Sequence, residues 1–526
     1  TSPPGSCYYY VSHCTQESVK PKMWMRDSWG EATKGAASDR AVCEQTRLSD
    51  YAKWCIVPAG AVRMHFNPQS IGPVHTACPL ACEMESMYEQ TWLKACMKEE
   101  CKHCADCMTE ATALCGVACL MRQRHETPFK NMPQYERIPL SDTASSSILD
   151  CNAAGGQITC NGAAFRIKGL NWYGMEGSYT SPPFGLHKHT LDSIMRFVAA
   201  NGFNSLRILF NHDAVLQNRR VSPKLGIDFA PELAGLSQIE MMLAVAKGAA
   251  YRGILVMLAC HRLYPEAFPG AAGSGFWYNQ RFPESRVLQS WRRITEQLCG
   301  QWNVFAVDLM NEPFKSSWGS GDMSRDWDKA AGRLGDFVLA NCPRWLIMVQ
   351  GVSSQPGAPR VHKPQENMYW GENLMGHAVS PVMLSKPNRL VYSPHAYGPS
   401  VAAQPYHNYK MGFPENIGPI WERHFGFVMD SGIPIAIGEL GGHYASKEKV
   451  FQDWAVPYAD SRGFGLFYFA LNPDSEDTGG VLELDWTTPV ADKLKLLARF
   501  RGTPVHSLLH SPPPSPPPPP PEPRAP

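Results

Sequence analysis

The stretch Val307–Phe314, VDLMNEPF, opens as a run of strand-forming residues, stops at the polar pair Asn311-Glu312 and is closed by Pro313. A proline cannot donate to a strand ladder, so the strand ends there. An apolar strand that ends in polar, chemically capable side chains matches the C-terminal end of a strand in a (β/α)8 barrel, the end where such barrels keep their chemistry. A second stretch, Pro434–Glu439 (PIAIGE), has the same form and also ends in a glutamate.

Outward from these two segments the chain alternates between strand and helix patterns. Candidate strands are 165–170 (FRIKGL), 204–210 (NSLRILF), 254–260 (ILVMLAC), 304–310 (VFAVDLM), 345–350 (WLIMVQ), 389–394 (RLVYSP), 433–438 (IPIAIG) and 464–469 (FGLFYF). Helical periodicity fills the gaps, for example over 191–202 and 284–300. Eight strands with helices between them predict an α/β fold, a TIM barrel over residues 150–503.

The 526 residues exceed one ordinary domain, and the flanks differ in composition from the barrel. Of 17 cysteines, twelve precede residue 125. Residues 1–125 therefore form a cysteine-rich module, with cysteines recurring at helical spacing among Ala, Met, Glu, Leu and Lys. Cys101-x2-Cys104-x2-Cys107 has metal-site spacing with His103 beside it. A dense, even set in one region instead predicts a helical, disulfide-bonded module made in an oxidising compartment. Residues 126–149 are polar and aperiodic, a linker. Cys151 and Cys160 then flank a Gly-Gly turn, as a small bridged hairpin requires. Residues 504–526 end in SPPPSPPPPPPEPRAP, a polyproline II tail unable to pack a core and expected to be disordered; it is a spacer or a wall-associated stalk. Net charge is +1, which gives no support for a nucleic-acid partner, and no apolar run reaches the length of a membrane span.

The ends of the predicted strands carry polar groups in succession: Arg207, His261-Arg262, Asn311-Glu312, Gln350, His395 and Tyr397, Glu439, then Phe469 and Asn472. Each alone has an ordinary structural explanation, His261 as a satisfied core histidine and Arg207 as half of an ion pair. Their convergence on one rim is what indicates a site. Two glutamates on that rim are what glycosidic-bond hydrolysis needs.

Across roughly residues 158 to 500 the sequence resembles glycoside hydrolase family 5, the cellulase family, and most closely its bacterial-type endo-β-1,4-glucanases. The resemblance rests on LNWYG (170–174), NSLRILF, CHR (260–262), VDLMNEP, YWGENL (369–374), RLVYSPHAY (389–397), IGELG (437–441) and LNPDSEDTGG (471–480). It implies a retaining enzyme in which Glu312 is the general acid/base and Glu439 the nucleophile, with carboxyls about 5–5.5 Å apart. Arg207 and Tyr397 would hydrogen-bond Glu439, Asn311 would bind the sugar 2-hydroxyl, and His261 and His395 would complete the polar floor, His395 beside Glu312. No cofactor or metal is required.

Aromatic rings are expected to form the sugar subsites: Trp172, Trp277, Trp318 and Trp370, with Phe469 and Asn472 from the last strand. The alternative for each tryptophan is core packing. The family usually carries Trp where this chain has Phe469, so the sugar-stacking ring is smaller and lacks the indole N–H. The expected protein is a secreted or cell-wall-associated monomer acting on a β-glucan polysaccharide. The rivals are β-mannanase, xyloglucanase or β-1,3-glucanase activity on the same catalytic set, and a non-catalytic wall- or carbohydrate-binding protein.

Overall fold

The structure, a computed structural model, describes residues 148–222, 226–354 and 367–509. The expected cysteine-rich module, nearly all of the linker and the proline run of the tail lie outside the described residues.

The described chain begins with an antiparallel meander: β1 (Cys151–Ala154), β2 (Gln157–Cys160) and β3 (Ala163–Phe165). Gly155 and Gly156 turn the first hairpin with φ of 59° and 73°, values that glycine adopts without a Cβ clash. Cys151 and Cys160 face each other across it and form a disulfide.

Eight parallel strands follow: β4 (Lys168–Trp172), β5 (Ser205–Asn211), β6 (Leu255–Arg262), β7 (Val304–Asp308), β8 (Leu346–Val349), β9 (Leu390–Tyr392), β10 (Ala436–Leu440) and β11 (Gly465–Tyr468). They hydrogen-bond in sequence order, with β11 beside β4, and parallel bridges Tyr392–Ile435 and His395–Glu439 close the seam between β9 and β10. The expected strand at 165–170 is displaced. Phe165 ends the hairpin sheet, the Arg166 amide donates to the Thr503 hydroxyl while its carbonyl accepts from the Thr503 amide, and the barrel strand starts only at Lys168.

Helices α1 (Leu191–Ala200), α3 (Gln238–Tyr251), α4 (Glu284–Leu298), α5 (Trp327–Asn341), α6 (Ile417–His424) and α7 (Ser446–Ser461) follow strands of the barrel; α2 (His212–Gln217) is a single short turn after β5. Thr190 caps α1 through its side chain, and Ser237 with Glu240 forms a capping box on α3, so both helices start where a donor-satisfying side chain stands. A second disulfide, Cys299–Cys342, joins the ends of α4 and α5.

The strands are buried on both faces, and alternate residues serve two cores. Leu170, Trp172, Leu206, Ile208, Ile347, Val349 and Tyr468 pack with the helices. Met257, Ala306, Leu346, Met348, Val391, Ala436 and Phe467 belong to a second cluster with Leu149 and Ile158, in which the meander closes the N-terminal end of the barrel. The packed body runs past both expected boundaries. Leu149 is fully buried, and after α8 (Ala491–Leu497) a short helix α9 (Val505–Leu509) buries Val505 and Leu508 in this second core.

Candidate active site

Following the inward-facing register toward the C-terminal ends of the strands, the apolar layer gives way to a polar one. Asn171 stands two residues on from Gly169, Asp308 two from Ala306, Gln350 two from Met348 and Ser393 two from Val391. Arg207, on the opposite face from Leu206 and Ile208, bonds two of them directly, Asn171 and Asp308.

Arg207 is fully buried. Its Nη1 donates to Glu439 Oε1 (2.5 Å) and Asn171 Oδ1 (2.8 Å); Nη2 donates to Asp308 Oδ2 (2.9 Å) and Asn311 Oδ1 (3.0 Å), and Nε to the same Asp308 oxygen (3.1 Å). Burial works against this cation, but Glu439 and Asp308 outweigh it and raise its pKa further. Tyr397 donates its hydroxyl to Glu439 Oε2 at 2.6 Å. Both oxygens of Glu439 are thus held by donors, which fixes the carboxylate and directs it.

Glu312 stands across from it. The His395 Nδ1 atom lies 3.0 Å from Glu312 Oε1 and 3.4 Å from Glu439 Oε2. One oxygen of each glutamate and this nitrogen lie within 4.8 Å of one another. Among the described residues this is the one carboxylate–imidazole group dense enough to hold a metal ion, although sharing a proton between acids does not need one. Glu312 has φ of 44°, left-handed for a residue with a side chain, a conformation costing about 1–2 kcal/mol. Its amide is taken by Gln350 Oε1 at 2.7 Å.

The electrostatics divide the two acids. Burial, then the charge of Glu439, pushes the Glu312 carboxyl well above the ordinary range. Burial raises Glu439 as well, but Arg207 and the Tyr397 hydroxyl pull it back, so the proton the pair shares resides on Glu312. Burial, then Arg207 and His261, drives His395 well below its usual value and leaves it neutral. The His261 Nε2 atom is 3.9 Å from Glu439 Oε1, and the Asn311 Nδ2 donor is buried without a partner.

The expected residues Glu312, Glu439, Arg207, His261, Asn311, His395 and Tyr397 therefore meet in one constellation. The aromatic expectations divide. Trp172, Trp277 and Trp318 are 0%, 1% and 2% exposed, and their indole N–H groups are spent on Phe184 O, Glu284 and Ser380 O. They are packing residues and offer no face to a sugar. Asn472 is likewise corrected: fully buried, it accepts from the Tyr173 amide and donates to the Tyr173 carbonyl, a backbone clamp. Trp370 is 38% exposed and stacks on Phe314, centroids 4.0 Å apart. Phe469 is partly exposed, lies nearly parallel to Tyr173 at 5.8 Å and meets Tyr397 edge-on at 6.4 Å. Asn171 and Asp308 were not singled out from the sequence. Their signal is an amide or carboxylate within a strand otherwise buried throughout.

On the C-terminal rim of this parallel barrel two carboxylates and an imidazole come together, the layout that glycosidic-bond hydrolysis by a carboxylate pair requires. The model of the cellulases, glycosyl hydrolase family 5, matches residues 159–475, and the chain belongs to that family. An endoglucanase of Paenibacillus polymyxa is 36% identical over 69% of this chain and 90% of its own length. The major extracellular endoglucanase of Xanthomonas campestris is 34% identical over 65% of this chain and 69% of its own. Among solved structures, an endocellulase from Pyrococcus horikoshii superposes with a TM-score of 0.62 at 31% identity, covering 68% of this chain and all of that one.

Proposed function

We propose that the protein is an endo-β-1,4-glucanase that cleaves cellulose or a related β-glucan with retention of configuration. The observation that carries this is the placement of the two carboxylates, with atoms inside 4.8 Å and only Glu439 braced by Arg207 and Tyr397. That separation belongs to direct attack by a carboxylate; an inverting pair stands about 6.5–9.5 Å apart to admit a water. In the first step Glu439 attacks the anomeric carbon while Glu312 gives its proton to the departing glycosidic oxygen, so the C–O bond breaks as the glycosyl ester forms. In the second, Glu312 takes a proton from water, which displaces Glu439 and restores both groups. Asn311, with Nδ2 unspent, donates to the sugar 2-hydroxyl. Trp370, Phe469 and Tyr173 supply the stacking surface.

The substrate assignment is supported by the endoglucanases this chain is similar to and by the Pyrococcus horikoshii endocellulase, which has been solved with cellotetraose. Residues 1–125 are read as a separate cysteine-rich module ahead of the barrel body, with a proline-rich segment after it. Extracellular action is supported by the two disulfides of the barrel body and by the extracellular relative. No described helix is long and apolar enough to cross a membrane.

Reducing-end release from carboxymethylcellulose, xyloglucan, glucomannan, galactomannan and laminarin tests the reading, with the Glu439→Gln protein as blank. Cleavage of the cellulosic polymer, lost in the variant and giving the β-anomer first by proton NMR, is the expected result. Cleavage of mannan or laminarin alone would overturn the substrate, and first release of the α-anomer would overturn the mechanism.

A further inference from the structure

Gln350 directly follows β8 in the inward register and is fully buried. Both ends of its amide are committed. Oε1 accepts from the Glu312 backbone N–H at 2.7 Å, and Nε2 donates to Asp308 Oδ2 at 2.8 Å, the oxygen that also takes two donors from Arg207. Its own backbone carbonyl is fixed by Trp327 Nε1 at 2.9 Å. Gly371, with φ of 84°, lies against the same group: a Cβ there would stand 3.0 Å from Gln350 Oε1, 3.4 Å from His395 and 3.5 Å from the Glu312 side chain, so it would crowd the Gln350 side-chain oxygen. Gln350 is thus held at both ends of its side-chain amide and at its backbone carbonyl, and the group it holds is the amide of a residue in the left-handed region.

That conformation is what an ordinary strand end does not supply. Without an acceptor placed there, the Glu312 amide would be buried and unpaired, and the backbone would relax toward negative φ, swinging the carboxyl off its line to His395. Only an amide fits the position. The Glu312 N–H takes an acceptor and Asp308 Oδ2 accepts a further donor, and glutamine presents one of each from the same rigid plane.

We propose that Gln350 is a positioning residue for the acid/base: braced on Asp308, it holds the backbone of Glu312 in the conformation that aims its proton at the leaving oxygen. The inference rests on the assignment of Glu312 as acid/base. It makes the barrel's buried Asp308 serve two sides, Arg207 and through it the nucleophile on one, Gln350 and through it the acid on the other.

The test exploits leaving groups. Departure of dinitrophenolate from dinitrophenyl β-cellobioside needs no proton, whereas departure of a sugar from cellotetraose does. For Gln350→Met, kcat/KM on cellotetraose is expected to fall by about tenfold or more while kcat/KM on the aryl cellobioside stays within about threefold of wild type, because Arg207 still braces Asp308 and Glu439. Gln350→Glu keeps an acceptor for Glu312 but can donate to Asp308 only while its new carboxyl is protonated. Its cellotetraose activity should approach wild type at low pH and decline as pH rises, with the basic limb of the profile moved to lower pH. Equal losses on both substrates for Gln350→Met, or a Gln350→Glu profile parallel to wild type, overturn the proposal. Wild-type protein inactive on both substrates overturns the underlying assignment and this inference with it. Wild-type activity abolished by Glu439→Gln, together with unchanged Gln350 variants, overturns this inference alone.

Discussion

Replacing Phe469 by tryptophan restores the larger ring that the family usually places there. Phe469 lies on the rim between two fixed neighbours, Tyr173, whose hydroxyl is tied to Asp474 at 2.9 Å, and Tyr397, tied to Glu439. Being partly exposed, it has a ring surface to offer a pyranose. An indole adds about 40 Å² of apolar surface over a phenyl ring, and at about 25 cal/mol per Å² the extra stacking amounts to about 1 kcal/mol. That corresponds to roughly fivefold tighter binding. The change should lie in KM rather than kcat, because added stacking area binds the ground state and the transition state alike. Titration of cellotetraose into Glu439→Gln protein, with and without Phe469→Trp, measures the binding term directly, and kcat on carboxymethylcellulose measures the other. Unchanged or weaker binding would refute the reasoning, because it would mean that Tyr173 and Tyr397 already fill the space an indole needs and that sugar does not lie over residue 469.

Tyr397→Phe removes the hydroxyl that favours ionised Glu439, so the nucleophile's pKa rises, the acid limb of kcat/KM moves to higher pH, and activity at the optimum falls about tenfold to a hundredfold, the worth of a charge-assisted bond of about 1.5–3 kcal/mol. Trp370→Ala should raise KM about tenfold with little change in thermal stability. Trp172→Ala should instead cost about 3–5 kcal/mol of stability through the cavity it leaves, visible as a fall in denaturation midpoint. His212 is buried between Phe282 and Trp291, with its pKa lowered to about 3 by burial. Because the unfolded chain takes up that proton near pH 6.5 and the folded chain does not, the stability it contributes is present above pH 6.5 and lost as pH falls toward 3. Denaturant unfolding of His212→Phe should show a shallower decline across that window.

The strand-end motifs located the barrel and both carboxylates because an apolar run broken by a glutamate is a local signal, readable without knowing what packs on what. The register of each strand was not readable in the same way. In Leu170-Asn171-Trp172 the aromatic residue drew attention as a sugar platform, yet it shares its face with Leu170 and points to the helices, whereas Asn171 between them points inward and receives Arg207. A shift of one residue exchanges the two faces. Phase also hid Asp308, which looks like a solvent-facing break in VFAVDLM until Ala306 is known to be interior. Gln350 was visible as a strand end, but its partners are a backbone amide and a side chain on another strand, and no spacing rule connects them. The tryptophans at 277 and 318 failed for a different reason: loop position does not reveal whether a ring is a lid on solvent or an anchor beneath it, and their N–H partners at Glu284 and Ser380 make them anchors.

The closed floor of the barrel bears on how such a chain can be extended. The described body starts at Leu149 and finishes at α9, and the two are neighbours: Asn161 of the meander donates to the Leu508 carbonyl, and both Leu149 and Leu508 sit in the core beneath the strands. The two points at which the flanking sequence joins this body therefore lie at the pole away from Glu312 and Glu439. Lineages, or protein engineers, can exchange appendages there without a covalent connection crossing the rim that carries the two glutamates. A barrel plugged by its own first hairpin separates two evolutionary problems, reaching the substrate and cutting it, so that each can change at its own rate.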